Sequence, residues 1–132
     1  MSALLPLWAW VAAGSAAGGV ARFAVARLWP WVPGAWPLAT MSVNLAGSLL
    51  IGLLSVLFAA RLQGGSLEAA RAFWMSGVLG GFTTYSAFAL EAAVLAGEGA
   101  LARSLAYALV TVAGCIAAAL IGRVLGLALI GD

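Results

Sequence analysis

The sequence predicts an all-α membrane protein, in which residues 1–132 form a single domain of four transmembrane helices. Of its residues, 65% are hydrophobic and only 8% are charged, and the mean hydropathy is +1.14. So few polar residues cannot cover the surface of a water-soluble core. Four apolar segments, each near the roughly 20 residues that cross a bilayer, account for nearly the whole chain.

The four segments are expected at residues 4–26, 38–60, 72–96 and 101–129. Three prolines and three tryptophans in residues 29–37 break the helix and favour the headgroup level, so this first connection is interfacial. Residues 63–66 and 96–99 carry the glycines of the other two connections. The first segment has no basic start and is longer than a signal-peptide core, so we expect no cleaved leader.

The third segment contains an irregularity, the run Gly-Gly-Phe-Thr-Thr-Tyr-Ser-Ala-Phe at residues 80–88. Unpaired main-chain groups are costly in hydrocarbon, so irregular backbone persists there only where it lines a cavity, packs against protein or holds an ion. We therefore expect the third helix to be broken near its middle, and we look for function at that break.

Polar side chains form one stripe on the second segment and another on the fourth. A buried amide needs partners, so Asn44 either holds helices together or serves a permeating species. Hydroxyls alone are weak signals, but two aligned stripes with a mid-membrane Asn favour a permeation path. Residues four apart share a helix face, and the stripes are Thr40, Asn44 and Ser48, and Tyr107, Thr111 and Cys115.

Just past the glycines, Tyr85 and Phe88 share a helix face. Aromatic ring edges carry partial positive charge, which can replace part of the hydration of an anion. Glu91, one turn further, is the only acid deep in a segment and is a functional candidate by default. It either pairs with Arg22 or accepts hydrogen bonds from hydroxyls, and both charges are candidates for a supporting role.

Several classes of protein are excluded by composition. The chain has no His and one Cys, so it offers neither a metal cluster nor a disulfide within one chain. We find no nucleophile with a base and no carboxylate pair, and therefore expect no enzyme. The net charge of +2 comes from scattered residues and not from the basic stripe of a nucleic-acid binder.

The six arginines give almost no instruction about orientation. Three belong to each predicted face of the membrane, although Lys/Arg bias is what sets topology. Either the charges balance by coincidence, or the chain inserts both ways and pairs as an antiparallel, dual-topology homodimer. Three pairs of glycines four residues apart favour close helix packing, within one subunit or between two. The arginines are Arg61, Arg71 and Arg123 on one face, and Arg22, Arg27 and Arg103 on the other.

At residues 18–23, 40–48 and 80–88 together, the chain resembles the Fluc fluoride-channel family, also called CrcB, along essentially its whole length. The resemblance implies an antiparallel homodimer that passively exports fluoride across the cytoplasmic (inner) membrane and excludes chloride. It also implies a structural sodium ion on the two-fold axis, coordinated by main-chain oxygens of Gly80 and Thr83.

The same resemblance implies which side chains meet fluoride. Tyr85 stands where the family usually has Phe, and Cys115 stands where a hydroxyl is usual. A thiol is a weaker donor than a hydroxyl. Tyr85 and Phe88 would flank the path, Asn44 would donate to the ion, and the remaining lining would be Thr40, Ser86, Tyr107, Thr111 and Cys115.

One rival class has a comparable size and topology. A small dual-topology exporter exchanges protons for cationic compounds at a membrane carboxylate, and here Glu91 would have to take that part. Such exporters carry the acid in their first span, which has none in this chain. A purely structural subunit would leave both polar stripes without a purpose.

Overall fold

The computed structural model describes residues 6–131, and all regular secondary structure in that range is helical. Four helical stretches, of 22, 24, 34 and 30 residues, are long and apolar enough to cross a membrane. The prediction of an all-helical protein with four such stretches is confirmed. The elements are α1 (Leu7–Leu28), α2 (Leu38–Arg61), α3 (Gly64–Ala70), a π-helical segment (Arg71–Leu79), α4 (Gly80–Phe82), α5 (Tyr85–Gly97) and α6 (Leu101–Ile130).

The ends of the stretches differ from the sequence prediction mainly at the third. Its helix starts at Gly64 and not at residue 72, because Gly64 takes a positive φ of 55° and turns the chain directly into α3. Ser66 stabilises this start by donating a hydrogen bond to the Gln63 carbonyl. The predicted start of the first segment, at residue 4, lies outside the described residues.

The helices pack chiefly as two pairs, α1 with the π-helical segment and α2 with α6. Glycines make both approaches close. A methyl group on Gly14 or Gly18 would collide with the main chain of the π-helical segment, and one on Gly122 would collide with the Leu49 carbonyl. The small-residue pairs therefore serve packing inside the subunit.

The helical backbone of the third stretch stops for two residues. Thr83 (φ −82°, ψ 159°) and Thr84 (φ −150°, ψ 116°) are extended, and helix resumes at Tyr85. We call Thr83 and Thr84 the interruption. The Thr84 hydroxyl caps α5 by accepting a hydrogen bond from the Ala87 N–H at 3.2 Å. The π-helical segment precedes the interruption and is separated from it only by α4. Such π-helical turns occur frequently at functional sites.

The connection between α1 and α2 folds over one end of α6. The Trp31 indole donates to the Ala35 carbonyl at 2.9 Å, and Arg103 donates to the Gly34 carbonyl. The Trp36 ring meets the Tyr107 ring edge-on, with centroids 6.5 Å apart. This loop thus covers the buried cluster of Phe88, Leu95 and Tyr107.

Candidate functional site

Asn44 of α2 binds the interruption through both ends of its amide. Its Nδ2 donates to the Thr84 carbonyl at 3.0 Å, and its Oδ1 accepts from the Thr84 N–H at 2.7 Å. The amide thereby supplies partners for a donor and an acceptor that a continuous helix would have paired internally. Gly47 lies one turn further along α2. The Thr83 methyl group occupies the space that a Cβ at position 47 would fill, so a residue with a side chain there would obstruct it.

The main-chain carbonyls around the interruption fall into two groups. The Gly81 carbonyl accepts from Arg22 Nε at 3.0 Å, and the Thr84 carbonyl is held by Asn44. Among the described residues, no side-chain or non-helical main-chain hydrogen bond reaches the carbonyls of Gly80 or Thr83. These are the two residues whose main-chain oxygens the family resemblance singles out.

Both of these residues line a cavity of about 400 Å³ that opens at the protein surface. The cavity lies between α2, the interruption and α6, and most of its wall is apolar. None of its lining residues is Lys, Arg, Asp or Glu. Seven of the residues predicted to be functional line it, namely Asn44, Gly80, Thr83, Tyr85, Phe88, Thr111 and Cys115.

Two aromatic rings lie along one side of the cavity. The centroids of Tyr85 and Phe88 are 5.6 Å apart with their planes inclined at 54°. Tyr85 is 77% exposed, whereas Phe88 is only 7% exposed. Phe88 also packs on Tyr107, at a centroid distance of 5.2 Å. The Phe88 ring thus separates the cavity from a buried polar cluster behind it.

This buried polar cluster consists of Glu91, Thr40 and Tyr107. Glu91 Oε1 accepts from the Thr40 hydroxyl and Oε2 from the Tyr107 hydroxyl, each at 2.7 Å. All three side chains are at most 9% exposed. Of the two partners open to Glu91 from the sequence, the structure selects the hydroxyls, while Arg22 binds a carbonyl elsewhere. Thr40 and Tyr107 therefore face the carboxylate and do not line the cavity.

The α6 stripe continues from the cluster into the cavity. Tyr107 is fully buried, and Thr111 one turn on is 3% exposed. The Thr111 hydroxyl is the one buried side-chain polar atom in residues 6–131 that has no hydrogen-bond partner. Cys115, another turn on, is half-buried and carries a free thiol. The spacing of four residues places these groups on one face, as the sequence predicts.

Ser86 lies apart from this arrangement. It is exposed, does not line the cavity, and its hydroxyl lies 3.4 Å from that of Thr84. Thr84 was missing from the candidate residues, although it both caps α5 and binds Asn44. A Thr directly before a resuming helical pattern is an N-cap signal that would have found it.

The fold and this site define a multi-pass membrane protein with one open cavity, lined by Asn44, the interruption, Thr111 and Cys115. Within the part of the chain that the structure describes, no three His, Cys, Asp or Glu side chains come together as metal ligands. The residues that line the cavity supply an amide, hydroxyls, aromatic rings and a thiol.

Comparison with known proteins places the chain in a family. Residues 9–123 match the family described as CrcB-like protein, Camphor Resistance (CrcB). The chain is 42% identical over 119 residues to the fluoride-specific ion channel FluC of Magnetococcus marinus, a match that covers 89% of this chain and 95% of that protein. For the proteins of the same name from Deinococcus radiodurans and Paracoccus denitrificans, identity is 44% in both, over 92% and 88% of this chain and 95% and 90% of theirs. The protein therefore belongs to the CrcB family.

Proposed function

We propose that this protein is a passive, fluoride-selective channel that exports fluoride across the cytoplasmic membrane. Membership in the CrcB family, and the name fluoride-specific ion channel that its relatives carry, support the choice of ion. The arrangement around Asn44 is the single structural observation that carries the proposal.

The Asn44 amide has two N–H donors and one oxygen. One N–H and the oxygen are used on Thr84, so the second N–H remains for a ligand in the cavity that Asn44 lines. Thr111, whose buried hydroxyl has no hydrogen-bond partner among the described residues, is a lining residue of the same cavity. A small, strongly hydrated anion needs donors of this kind in place of water.

The lack of cationic side chains on the cavity wall also favours passage of an anion over its tight binding. Conduction requires sites weak enough for the ion to leave, and no cationic side chain lines the wall. The partial positive charge is instead distributed over ring edges of Tyr85 and Phe88 and the N-terminus of α5, which starts at Tyr85. In this proposal, the break in the third helix matters because it places the N-terminus of α5 beside the fluoride path.

A structural sodium ion is part of the proposal. The carbonyls of Gly80 and Thr83 suit a hard cation, which prefers oxygen ligands, because among the described residues neither accepts a hydrogen bond from a side chain or from a main-chain N–H outside the helices. Two carbonyls from one chain are too few for such an ion. A second chain related by a two-fold axis would bring the number to four.

The proposed assembly is accordingly an antiparallel, dual-topology homodimer. The cavity opens at the surface of the subunit, where a partner would close it, and the exposed ring of Tyr85 would become part of that contact. The equal division of the six arginines between the two predicted faces supports insertion in both orientations.

The test is fluoride efflux from proteoliposomes loaded with potassium fluoride, measured with a fluoride electrode. A passive channel gives efflux only when valinomycin provides a potassium pathway, and an imposed pH gradient leaves the rate unchanged. Fluoride efflux that needs a pH gradient would contradict the passive channel. No fluoride efflux in either condition would also contradict the channel and would favour the alternative, the proton-coupled exporter of cationic compounds that uses Glu91.

A further inference from the structure

Arg123 of α6 and Ser55 of α2 form a polar bridge between two helices that line the cavity. The Arg123 guanidinium donates to the Ser55 hydroxyl at 3.3 Å. Ser55 is half-buried, whereas Arg123 is exposed. Among residues 6–131 this is the one side-chain hydrogen bond of Arg123, so most of its N–H groups are left for water or an anion.

The bridge continues the two helix faces that line the cavity. On α2, Ser55 follows the lining residue Ser48 by seven residues. On α6, Arg123 follows the lining residue Ile116 by the same number. Seven residues make two helical turns, which return to within about 20° of the same direction and rise about 10 Å along the helix. The bridge therefore lies over the same groove, about 10 Å beyond the cavity wall.

The bridge also lies between the cavity and one surface of the membrane. Arg61, the last residue of α2, donates to the Leu129 carbonyl in the last turn of α6, so both helices end at the same side. A partner subunit would close the cavity laterally, but a conducting path must still open to water at each membrane surface. The groove between α2 and α6 leads from the cavity to this surface and passes Arg123.

We propose that Arg123 is an entrance residue, which draws fluoride toward the cavity from the membrane surface where α2 and α6 end. The inference rests on the proposed function. A positive charge at the mouth of a cleft raises the local concentration of an anion, and low-dielectric walls strengthen this attraction. Because the charge lies about 10 Å beyond the wall, it attracts the ion without holding it inside, where conduction requires weak sites.

A second role is open to an arginine at this depth. Arginines near the ends of membrane spans extend along apolar surface toward lipid headgroups. The Arg123 guanidinium instead lies across the groove, on the Ser55 hydroxyl, which favours the entrance. If Arg123 served lipid contact only, fluoride efflux would not depend on its charge.

The experiment compares initial fluoride efflux from proteoliposomes for the unmodified protein, Arg123→Gln, Arg123→Lys and Arg61→Gln, at equal amounts and with oligomeric state checked. Each protein is measured at ionic strengths of about 0.01 M and about 1 M, where the Debye length is about 30 Å and about 3 Å. N-methylglucamine gluconate on both sides supplies the additional ions. Arg61→Gln is the matched control, because it removes one arginine from the same predicted face and so changes the charge balance for insertion equally.

At low ionic strength, Arg123→Gln should slow efflux about fivefold, whereas Arg123→Lys keeps the charge and should stay within about twofold. At high ionic strength the unmodified protein should slow, and its rate should come within about twofold of Arg123→Gln, because salt screens the charge. Arg61 lies about 20 Å beyond Ser48 along α2, so Arg61→Gln should stay within about twofold of the unmodified protein in both conditions.

Several results would overturn the entrance. Equal slowing by Arg123→Gln at both ionic strengths would make Arg123 a structural residue, and no slowing would leave it a lipid contact. Arg123→Lys as slow as Arg123→Gln would contradict a role of charge, and similar slowing by Arg61→Gln would assign the effect to the general charge of this end.

The unmodified protein supplies a test that needs no variant. If Arg123→Gln does not assemble, an unmodified efflux rate that is independent of ionic strength would contradict the entrance, and a rate that falls with ionic strength would support it. If the unmodified protein passes no fluoride, the proposed function fails and the entrance fails with it. Every other negative result overturns the entrance alone.

Discussion

At the scale of single residues, Asn44 both binds the Thr84 main chain and lines the cavity. One substitution tests both roles. Asn44→Leu removes both hydrogen bonds to Thr84, and each unpaired main-chain group costs about 1 to 3 kcal/mol if it stays buried. We expect lower thermal stability in detergent together with lost fluoride efflux. Ser48→Ala is the control, since Ser48 lines the same cavity but makes no side-chain hydrogen bond within the described residues. Normal efflux by a destabilised Asn44→Leu protein would make Asn44 a packing residue only.

Glu91 allows a second prediction at this scale, because its two oxygens accept from Thr40 and Tyr107. Glu91→Gln keeps the shape and offers one acceptor and one donor, and both hydroxyls can adjust. Glu91→Leu leaves both hydroxyls unpartnered, at about 1 to 3 kcal/mol each. Thermal unfolding in detergent should therefore show a much larger loss for Leu than for Gln. Equal losses would mean that the negative charge, and not the hydrogen bonding, stabilises the cluster.

The sequence predicts the helix face on which each polar residue lies, but it does not predict the hydrogen-bond partner of that residue. Four-residue spacing correctly puts Tyr107, Thr111 and Cys115 on one side of α6. Spacing does not reveal that the Tyr107 hydroxyl donates to Glu91 on α5, whereas the Thr111 hydroxyl has no hydrogen-bond partner among the described residues. The partner of each side chain depends on which helix lies opposite it at that depth of the membrane. The roles of these side chains toward fluoride stay predictions.

At the scale of helices, α1 offers an adjacent pair of glycines for comparison. A methyl group on Gly18 would collide with the Val78 carbonyl and lie 2.9 Å from the Phe82 N, whereas one on Gly19 would meet nothing within 4 Å. Gly18→Ala should therefore destabilise by about 1 to 3 kcal/mol through overpacking. Gly19→Ala should be neutral or stabilise by up to about 1 kcal/mol, because Ala is the better helix former. Thermal unfolding of both variants in detergent checks this, and equal effects would contradict the packing of α1 on the π-helical segment.

The number and type of helices were readable from the sequence because a bilayer demands long apolar helices. The π-helical register of Arg71–Leu79 was not. A change from i+4 to i+5 hydrogen bonding has no clear compositional sign, and here it accompanies close packing against the glycines of α1. The start at Gly64 was missed for a related reason, since glycines usually end helices and here one begins a helix.

At the scale of the whole molecule, orientation is the testable property. Two lysines inserted beside Gln63 should bias insertion toward one topology, since Lys/Arg excess sets the side of a loop. If the dimer needs both orientations, fluoride efflux from cells should fall, and coexpression with an oppositely biased variant should restore it. Cysteine labelling of loops in intact cells, on a Cys115→Ser background, measures orientation directly. Uniform orientation of the unmodified chain would contradict dual topology.

The homodimer was reached from the sequence only through charge balance and family resemblance, and it stays a prediction. One subunit shows a cavity that opens at its surface and is lined by Gly80 and Thr83. A contact between two copies is formed by two chains, so residue spacing within one chain does not predict it.

The central claim, that fluoride passes the aromatic rings of this cavity, is tested most directly at Tyr85. Phe88 is less suitable, because it is buried against Tyr107 and its replacement would also disturb the core. Tyr85 is exposed in the subunit, and its hydroxyl makes no hydrogen bond within the described residues, so its ring can be changed with little effect on folding of the chain.

The measurement is the initial rate of fluoride efflux for Tyr85→Phe and Tyr85→Ile, reconstituted at equal amounts and checked for equal oligomeric state. Tyr85→Phe keeps the ring edge, and its rate should stay within about tenfold of the unmodified protein, a barrier change of about 1.4 kcal/mol or less. Tyr85→Ile removes the ring and should be far slower. Equal and mild effects of both substitutions would contradict the account and place the path elsewhere.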